Sequence, residues 1–351
     1  MSASEELSNT MAVMTPEERL ATVLSIAEEC IGEDELLPLL HVKHNPVCYV
    51  DFEPSCRVHI AQGVGKAINV NRMVRAGCKV KILVAVQKTA KDLDKVRTIS
   101  RYMIEIWESL GMNIDKVEFI WSPEQINNRA QEYWPLVMDI ARRNKVERLM
   151  RLQLNPAHVS ATKLLDPIMR CADILFTEVD ICLVGIDQRE ENIMAREYCE
   201  CMGKNKPIIL LHHMLTSFKE GQKMSKSNPS LDIFMDDSEG LVKLKINKAF
   251  CPIKIVEGNI CLEYIEHIVF PSLEKFEIVR HESHGGSRTY LGMEEFVADY
   301  HSGALHPRDV KNSLAKAIND ILQPVRDHFN KNNEAKVLHN IVKEYLATNP
   351  A

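Results

Sequence analysis

The sequence predicts an α/β protein: a parallel sheet wrapped by helices, followed by a domain built mainly of helices. Three observations carry that expectation. Apolar runs rich in β-branched residues, such as Val80–Val86, alternate with helical patterns long enough for parallel crossovers. Beyond about Asp236 the alternation stops and only helical periodicity remains. With 351 residues, 45% apolar and 26% charged, the chain is long enough for two domains and too apolar to stay disordered.

The elements follow in order. Residues 1–40 read as an N-terminal helical segment, with Thr15 as cap, Pro16 in the first turn and Leu20, Val23, Leu24 and Ile26 as its apolar stripe. Pro46–Val50 reads as a strand that ends at the turn Glu53-Pro54-Ser55. Val58, Ile60, Val64, Ile68 and Val74 then mark a helix, and Val80–Val86 the next strand. Helices are expected at Val96–Leu110, Pro123–Asn128 and Glu132–Met150, with a strand at Val117–Trp121 among them. Asp180–Gly185 and Pro207–Leu211 complete the sheet, joined through a helix over Ile193–Cys201. The helical domain holds Leu241–Phe250, Cys261–Val269, Met293–Tyr300, Pro307–Asn330 and Glu334–Leu346. The expected boundaries are therefore 1–40, 41–235 and 236–351.

Composition narrows the function. A formal charge of −6 excludes a generally basic wrapper of nucleic acid but leaves a local basic face open. Ten cysteines stand at irregular spacings, with only Cys199 and Cys201 close together, so no metal site is expected. No apolar run reaches membrane-spanning length and the first residues are polar and acidic. The expectation is a soluble, cytoplasmic protein with no membrane contact.

Two polar elements carry chemistry. The stretch Phe52–Gly63 lies where the first parallel strand turns into its helix, at the sheet edge where main-chain N–H groups collect phosphates. His59 in the opening turn and Gln62 three residues on can donate to phosphate oxygens as charge builds on them. Gly221-Gln222-Lys223-Met224-Ser225-Lys226-Ser227 lies just before the domain change. Two lysines flanked by hydroxyls can hold a polyphosphate while an in-line displacement pushes charge onto pyrophosphate.

These segments resemble the two signatures of the class I aminoacyl-tRNA synthetases, specifically eukaryotic and archaeal tyrosyl-tRNA synthetases of the plant cytosolic kind. His59-Ile60-Ala61-Gln62 is similar to the first signature and Lys223–Ser227 to the second. Gly185-Ile186-Asp187-Gln188-Arg189 resembles the stretch between them, and Gly285–Tyr290 and Leu305–Lys311 resemble the anticodon-binding domain. The resemblance implies a Rossmann-type catalytic domain over 41–235, a helical dimerisation insert near 120–165, a helical anticodon-binding domain over 236–351, and a homodimer.

It also implies a two-step reaction in which a carboxylic acid attacks Mg2+-bound ATP and the acyl adenylate passes to tRNA. His59, Lys223 and Lys226 would be catalytic. Gln62, Asp187, Met224, Ser225 and Ser227 would bind ATP. Tyr49 and Asp173 would grip a phenol, Gln188 would lie near the amino and carboxyl end, and His284 and Asp309 would meet the anticodon. Lys243, Lys245, Lys248, Lys311 and Lys316 are candidate phosphate contacts.

The family pattern is altered around the substrate. Asp51 and Cys56 replace glycines, Val86 lies in a rebuilt wall, and Asp166 and Arg170 stand where the family has Tyr and Gln. An arginine within about 4 Å of an ammonium repels it by roughly 1–4 kcal/mol unless a carboxylate intervenes. Asp166 and Arg170, four residues apart on one helix, can pair with each other. Three readings follow: a tyrosine–tRNA ligase with compensating changes, a ligase or adenylating enzyme for another phenolic or amine-altered acid, and a non-catalytic RNA- or partner-binding homologue.

Overall fold

Residues 14–85, 92–152, 159–218 and 232–348 are described by a computed structural model. Its main sheet has six strands: β1 (Ala27–Ile31), β2 (Val47–Phe52), β3 (Lys79–Val84), β4 (Val117–Trp121), β5 (Ile181–Gly185) and β6 (Ile208–His212), in the order β1-β6-β5-β2-β3-β4. Strands β2 to β6 are parallel and β1 runs antiparallel along β6. The chain winds outward through β3 and β4, then returns to place β5 on the other side of β2. The β2–β5 border is therefore a topological switch point, where α/β sheets leave a crevice at their carboxyl ends.

Register makes that crevice wide. Strand β2 pairs with β3 along its whole length but with β5 only through Cys48↔Ile181 and Tyr49↔Cys182. From Val50 onward the two strands diverge.

The N-terminal segment departs from expectation. Thr15 does cap a helix, Pro16–Leu24, in a reciprocal box with Glu18 (2.8 and 3.2 Å). The expected continuous helix is broken by β1, after which Glu33–Val42 is helical again. Strand β1 carries Glu28 and Glu29, which are not left unpaired. Instead Arg189 clasps Glu29 (2.8–3.1 Å) and His213 contacts Glu28 at 2.8 Å, partners that no local pattern reveals. The expected helix Glu132–Met150 is likewise two, Ala130–Arg143 and Val146–Arg151, because Asn144 turns to an extended conformation.

Arg19 ties the layer down. Its buried guanidinium donates to the carbonyls of Ala76 (2.6 Å), Leu40 (2.9 Å) and His44 (2.9 Å), at the carboxyl ends of two helices. Helix termini leave such oxygens unsatisfied, and a cation there is favoured by the helix dipoles.

The second domain packs a long helix, Pro307–Lys331, against Glu239–Lys248 and Asn333–Thr348. It also holds a hairpin of two three-residue strands, Phe276–Ile278 and Arg288–Tyr290, too short to register as alternation in the sequence. One apolar core runs through both domains, from Val23 to Val342. The boundary expected at 235/236 thus crosses packed protein: Met235 is buried, and His339 stacks on Tyr102 at 5.4 Å. Among the described residues no helix is long and apolar enough to cross a membrane.

His213, just past β6, bridges Glu28 on one side and Glu263 of the second domain on the other, at 2.8 and 2.7 Å. Burial alone would lower its pKa, but its hydrogen bonds to the Glu263 and Glu28 carboxylates outweigh burial and push it up to about 9. A histidine held above its ordinary value of about 6.5 stabilises the fold fully below that value and ceases to do so as pH rises through the folded pKa. The melting temperatures of wild type and His213→Gln should therefore converge between pH 7 and 10. A gap that stays constant would remove the charge from this contact.

Candidate active site

A cavity of about 450 Å³ fills the crevice between the diverging ends of β2 and β5. After β2, the Ser55 hydroxyl donates to the Arg57 carbonyl at 2.9 Å and tightens the turn into the helix. The helix begins with a wide turn, Ala61–Gly65, and continues as Lys66–Arg75. Trp107 donates to the Gln62 carbonyl at 2.9 Å and fixes that first turn. His59, Gln62 and Lys66 all line the cavity.

The second polar element, Lys223, Met224, Ser225, Lys226 and Ser227, lies outside the described residues, as does Val86. The segment that follows it is nevertheless locked to the first element. Ile60 N–H donates to the Ile233 carbonyl and Met235 N–H to the Val58 carbonyl, both at 2.9 Å, with His59 opposite Phe234. Gly63 permits this approach, since a Cβ there would meet the Met235 sulfur at 2.4 Å.

An ion pair holds the segment from behind. Lys245 Nζ donates to Asp237 Oδ2 (2.6 Å) and the Asp232 carbonyl (2.7 Å), and Phe234 N–H donates to the same carboxylate at 2.9 Å. Burial raises the Asp237 pKa, which Lys245 partly offsets, and lowers that of Lys245, which Asp237 opposes. Lys245 is therefore not the phosphate contact expected from the sequence, because its side chain is only 2% exposed.

Across the crevice, β5 ends in the tight turn Ile186–Gln188, which presents Asp187 and Gln188 to the cavity. Gly185 leaves room here: a Cβ would stand 2.5 Å from the Met214 sulfur and 2.7 Å from Asp187 Oδ1, so those side chains would have to move.

Three of the altered positions, Asp51, Asp166 and Arg170, come together. Arg170, on the helix Ala161–Phe176, donates to Asp51 Oδ2 at 2.7 Å, and its Nε lies 3.4 Å from Glu191 and 3.7 Å from Asp166. Burial opposes the charge on Arg170, but Asp51, Glu191 and Asp166 outweigh it and raise its pKa. The expected Asp166–Arg170 pairing is thus the longest arm of a larger cluster, and Asp51 is its tightest partner. One cation faces three carboxylates, so the cluster does not repel an ammonium as a lone arginine would. Removing either Asp51 or Arg170 leaves its partner undercompensated. A double-mutant cycle of Asp51→Gly and Arg170→Gln, read by urea unfolding, should give a coupling of about 1–3 kcal/mol. Additive effects would show the two substitutions to be independent.

Tyr49 and Asp173 are both buried and close enough for the Asp173 charge to act on the Tyr49 hydroxyl, and neither lines the open cavity. Burial, with the Asp51 and Asp173 charges, keeps the Tyr49 hydroxyl protonated well above the ordinary phenol range. The Tyr133 hydroxyl donates to Asp173 Oδ1 at 2.8 Å, a partner that sequence reasoning missed. Its only signal was an aromatic on a helix of the insert.

Lys66 and Glu191 were missed as well, though each follows a recognised element within one or two helical turns. Cys56 is half-buried and packs against the core. In the second domain the backbone of His284 ends a short turn, and Asp309 lies half-buried in the first turn of Pro307–Lys331; neither lines the cavity. Lys311 reaches the Asn247 carbonyl (3.0 Å) and Lys316 pairs with Asp320 (3.1 Å), while Lys243 and Lys248 are exposed.

A family model described as tRNA synthetases class I (W and Y) matches residues 42–323. Tyrosine–tRNA ligase 1, cytoplasmic, of Arabidopsis thaliana is 52% identical over 345 residues, covering 95% of this chain and 90% of its own length. Tyrosine–tRNA ligase 2, cytoplasmic, of the same plant is 50% identical over 360 residues, covering 99% of this chain and 48% of its own. The solved tyrosyl-tRNA synthetase of Leishmania major in complex with tyrosinol superposes with a TM-score of 0.89 at 38% identity, over 97% of this chain and 54% of that one. The chain thus spans about half the length of the last two relatives.

Proposed function

Because the chain belongs to the class I tRNA synthetases for tryptophan and tyrosine, we propose that it is a tyrosine–tRNA ligase that activates tyrosine with ATP and transfers it to tRNA. The observation that carries this reading is the locking of the segment after the second signature onto the first, at the mouth of a crevice between β2 and β5. Such an arrangement gathers donors around a triphosphate before reaction begins.

In the first step a tyrosine carboxylate oxygen bonds to the α-phosphorus of Mg2+-bound ATP, and the bond to pyrophosphate breaks. Charge grows on the leaving group. His59 and Gln62 face the phosphates, and Lys223 and Lys226, flanked by Ser225 and Ser227, neutralise the departing pyrophosphate. Met224 would serve the adenine end and Asp187 would accept hydrogen bonds from the ribose. Tyr49 and Asp173 select the phenol, since a phenyl ring would leave them unpaired. Gln188 stands near the amino and carboxyl end. In the second step the 3′ end of tRNA takes the acyl group, with His284 and Asp309 of the helical domain reading the anticodon.

A homodimer is supported by Trp134, Met138, Val146 and Leu165, large apolar side chains of the insert helices and their neighbour that are 41–59% exposed. The compartment is the cytoplasm, a reading supported by the two Arabidopsis relatives, both named as cytoplasmic ligases. The test is pyrophosphate exchange by the purified protein with tyrosine, followed by charging of tRNA. Exchange only with phenolic acids lacking the amine would replace this reading by an altered ligase. No exchange with any acid would leave a binding protein.

A further inference from the structure

Lys66 stands on the helix that begins just after His59 and carries Gln62, and it lines the same cavity as both. Its Nζ donates to the Asp51 carbonyl at 2.6 Å. That is its one hydrogen bond among the described residues, and an ammonium has three protons to give. The Asp51 carboxylate, the nearest candidate counter-ion, is taken by Arg170 at 2.7 Å. Lys66 is half-buried and lines the cavity. Burial lowers its pKa and Asp51 opposes that fall. Its charge reaches His212, where burial and then Lys66 disfavour protonation, while Asp187 and Asp51 act the other way.

A strut for one carbonyl does not need a charge, and enclosing a cation without a committed carboxylate costs free energy. The arrangement suits a cation that waits for an anion. On the ligase reading the ribose lies at Asp187 and the amino and carboxyl end near Gln188, so the carboxylate meets the α-phosphate inside the cavity that Lys66 also lines. We propose that Lys66 is a further catalytic residue, whose ammonium contacts the α-phosphate of ATP as the carboxylate attacks it. No proton transfer is involved: the charge stabilises oxygens that grow more negative, from a position fixed before the substrates arrive.

This assignment rests on the ligase reading, and the experiment separates the two. Lys66→Gln keeps a donor for the Asp51 carbonyl but drops the charge, whereas Lys66→Arg keeps the charge. Calorimetry with Mg2+-ATP alone reads nucleotide binding, and pyrophosphate exchange with tyrosine reads the chemical step. Lys66→Gln should weaken Mg2+-ATP binding about three- to tenfold and slow exchange about 100-fold, with the tyrosine KM little changed, and Lys66→Arg should recover at least a tenfold part of the lost rate. A Lys66→Gln protein with wild-type exchange and binding would reduce Lys66 to a strut and overturn the proposal. If Lys66→Gln fails to fold by circular dichroism, Lys66→Met and Lys66→Arg decide it: equal losses in both overturn the proposal, and a smaller loss in Lys66→Arg supports it. Wild type that binds Mg2+-ATP but exchanges no tyrosine would sink the ligase reading alone, leaving the loss of binding in Lys66→Gln to judge Lys66. Wild type that binds no Mg2+-ATP would sink both.

Discussion

Lys245→Met is expected to cost about 3–5 kcal/mol of folding stability, because it strands the Asp237 carboxylate in the interior without its cation. Both side chains are only 2% exposed, so water cannot replace the partner. Arg57, 4.0 Å from the same carboxylate, is too distant to take over the 2.6 Å hydrogen bond. The damage reaches the site, since Lys245 also holds the Asp232 carbonyl and Asp237 holds the Phe234 amide. Urea unfolding measures the loss, and pyrophosphate exchange should fall with it. Adding Asp237→Asn should restore much of the stability, because the pair is expensive to break and cheap to neutralise. A loss below about 1 kcal/mol in the single variant would mean that water or a shifted side chain satisfies Asp237.

His59→Ala should slow pyrophosphate exchange by about 10²–10³-fold while leaving tyrosine binding and the melting temperature nearly unchanged. The main-chain hydrogen bonds that fasten Val58 and Ile60 to the segment after the second signature do not need the imidazole. The loss should appear in kcat, because the interaction strengthens only as charge develops on the phosphates. Exchange at more than a tenth of the wild-type rate would move phosphate stabilisation elsewhere in the cavity.

The main sheet was legible because its five parallel strands are short, strongly apolar runs whose pattern survives without tertiary information. Strand β1 was not, since its glutamates are answered by Arg189 and His213, far away in the chain. The same distance hid the meaning of the altered pocket. Asp51, Asp166 and Arg170 stood out one by one as departures from a pattern, but that Asp51 is the tight partner of Arg170 is a fact of three dimensions. Lys245 misled in the opposite direction. A lysine in a polar helical stretch reads as surface, and only the buried carboxylate beside it shows otherwise. Tyr133 gave no sign beyond being an aromatic on a helix of the insert, because its role depends on one hydrogen bond across helices.

The parting of β2 from β5 after two paired residues is a property of the backbone trace. A hollow defined by strand divergence outlasts turnover of the groups that furnish it. A lineage can therefore exchange glycine for aspartate and amide for guanidinium on its walls without forfeiting the void itself, and tenancy of the cleft becomes open to revision while the architecture stays conservative.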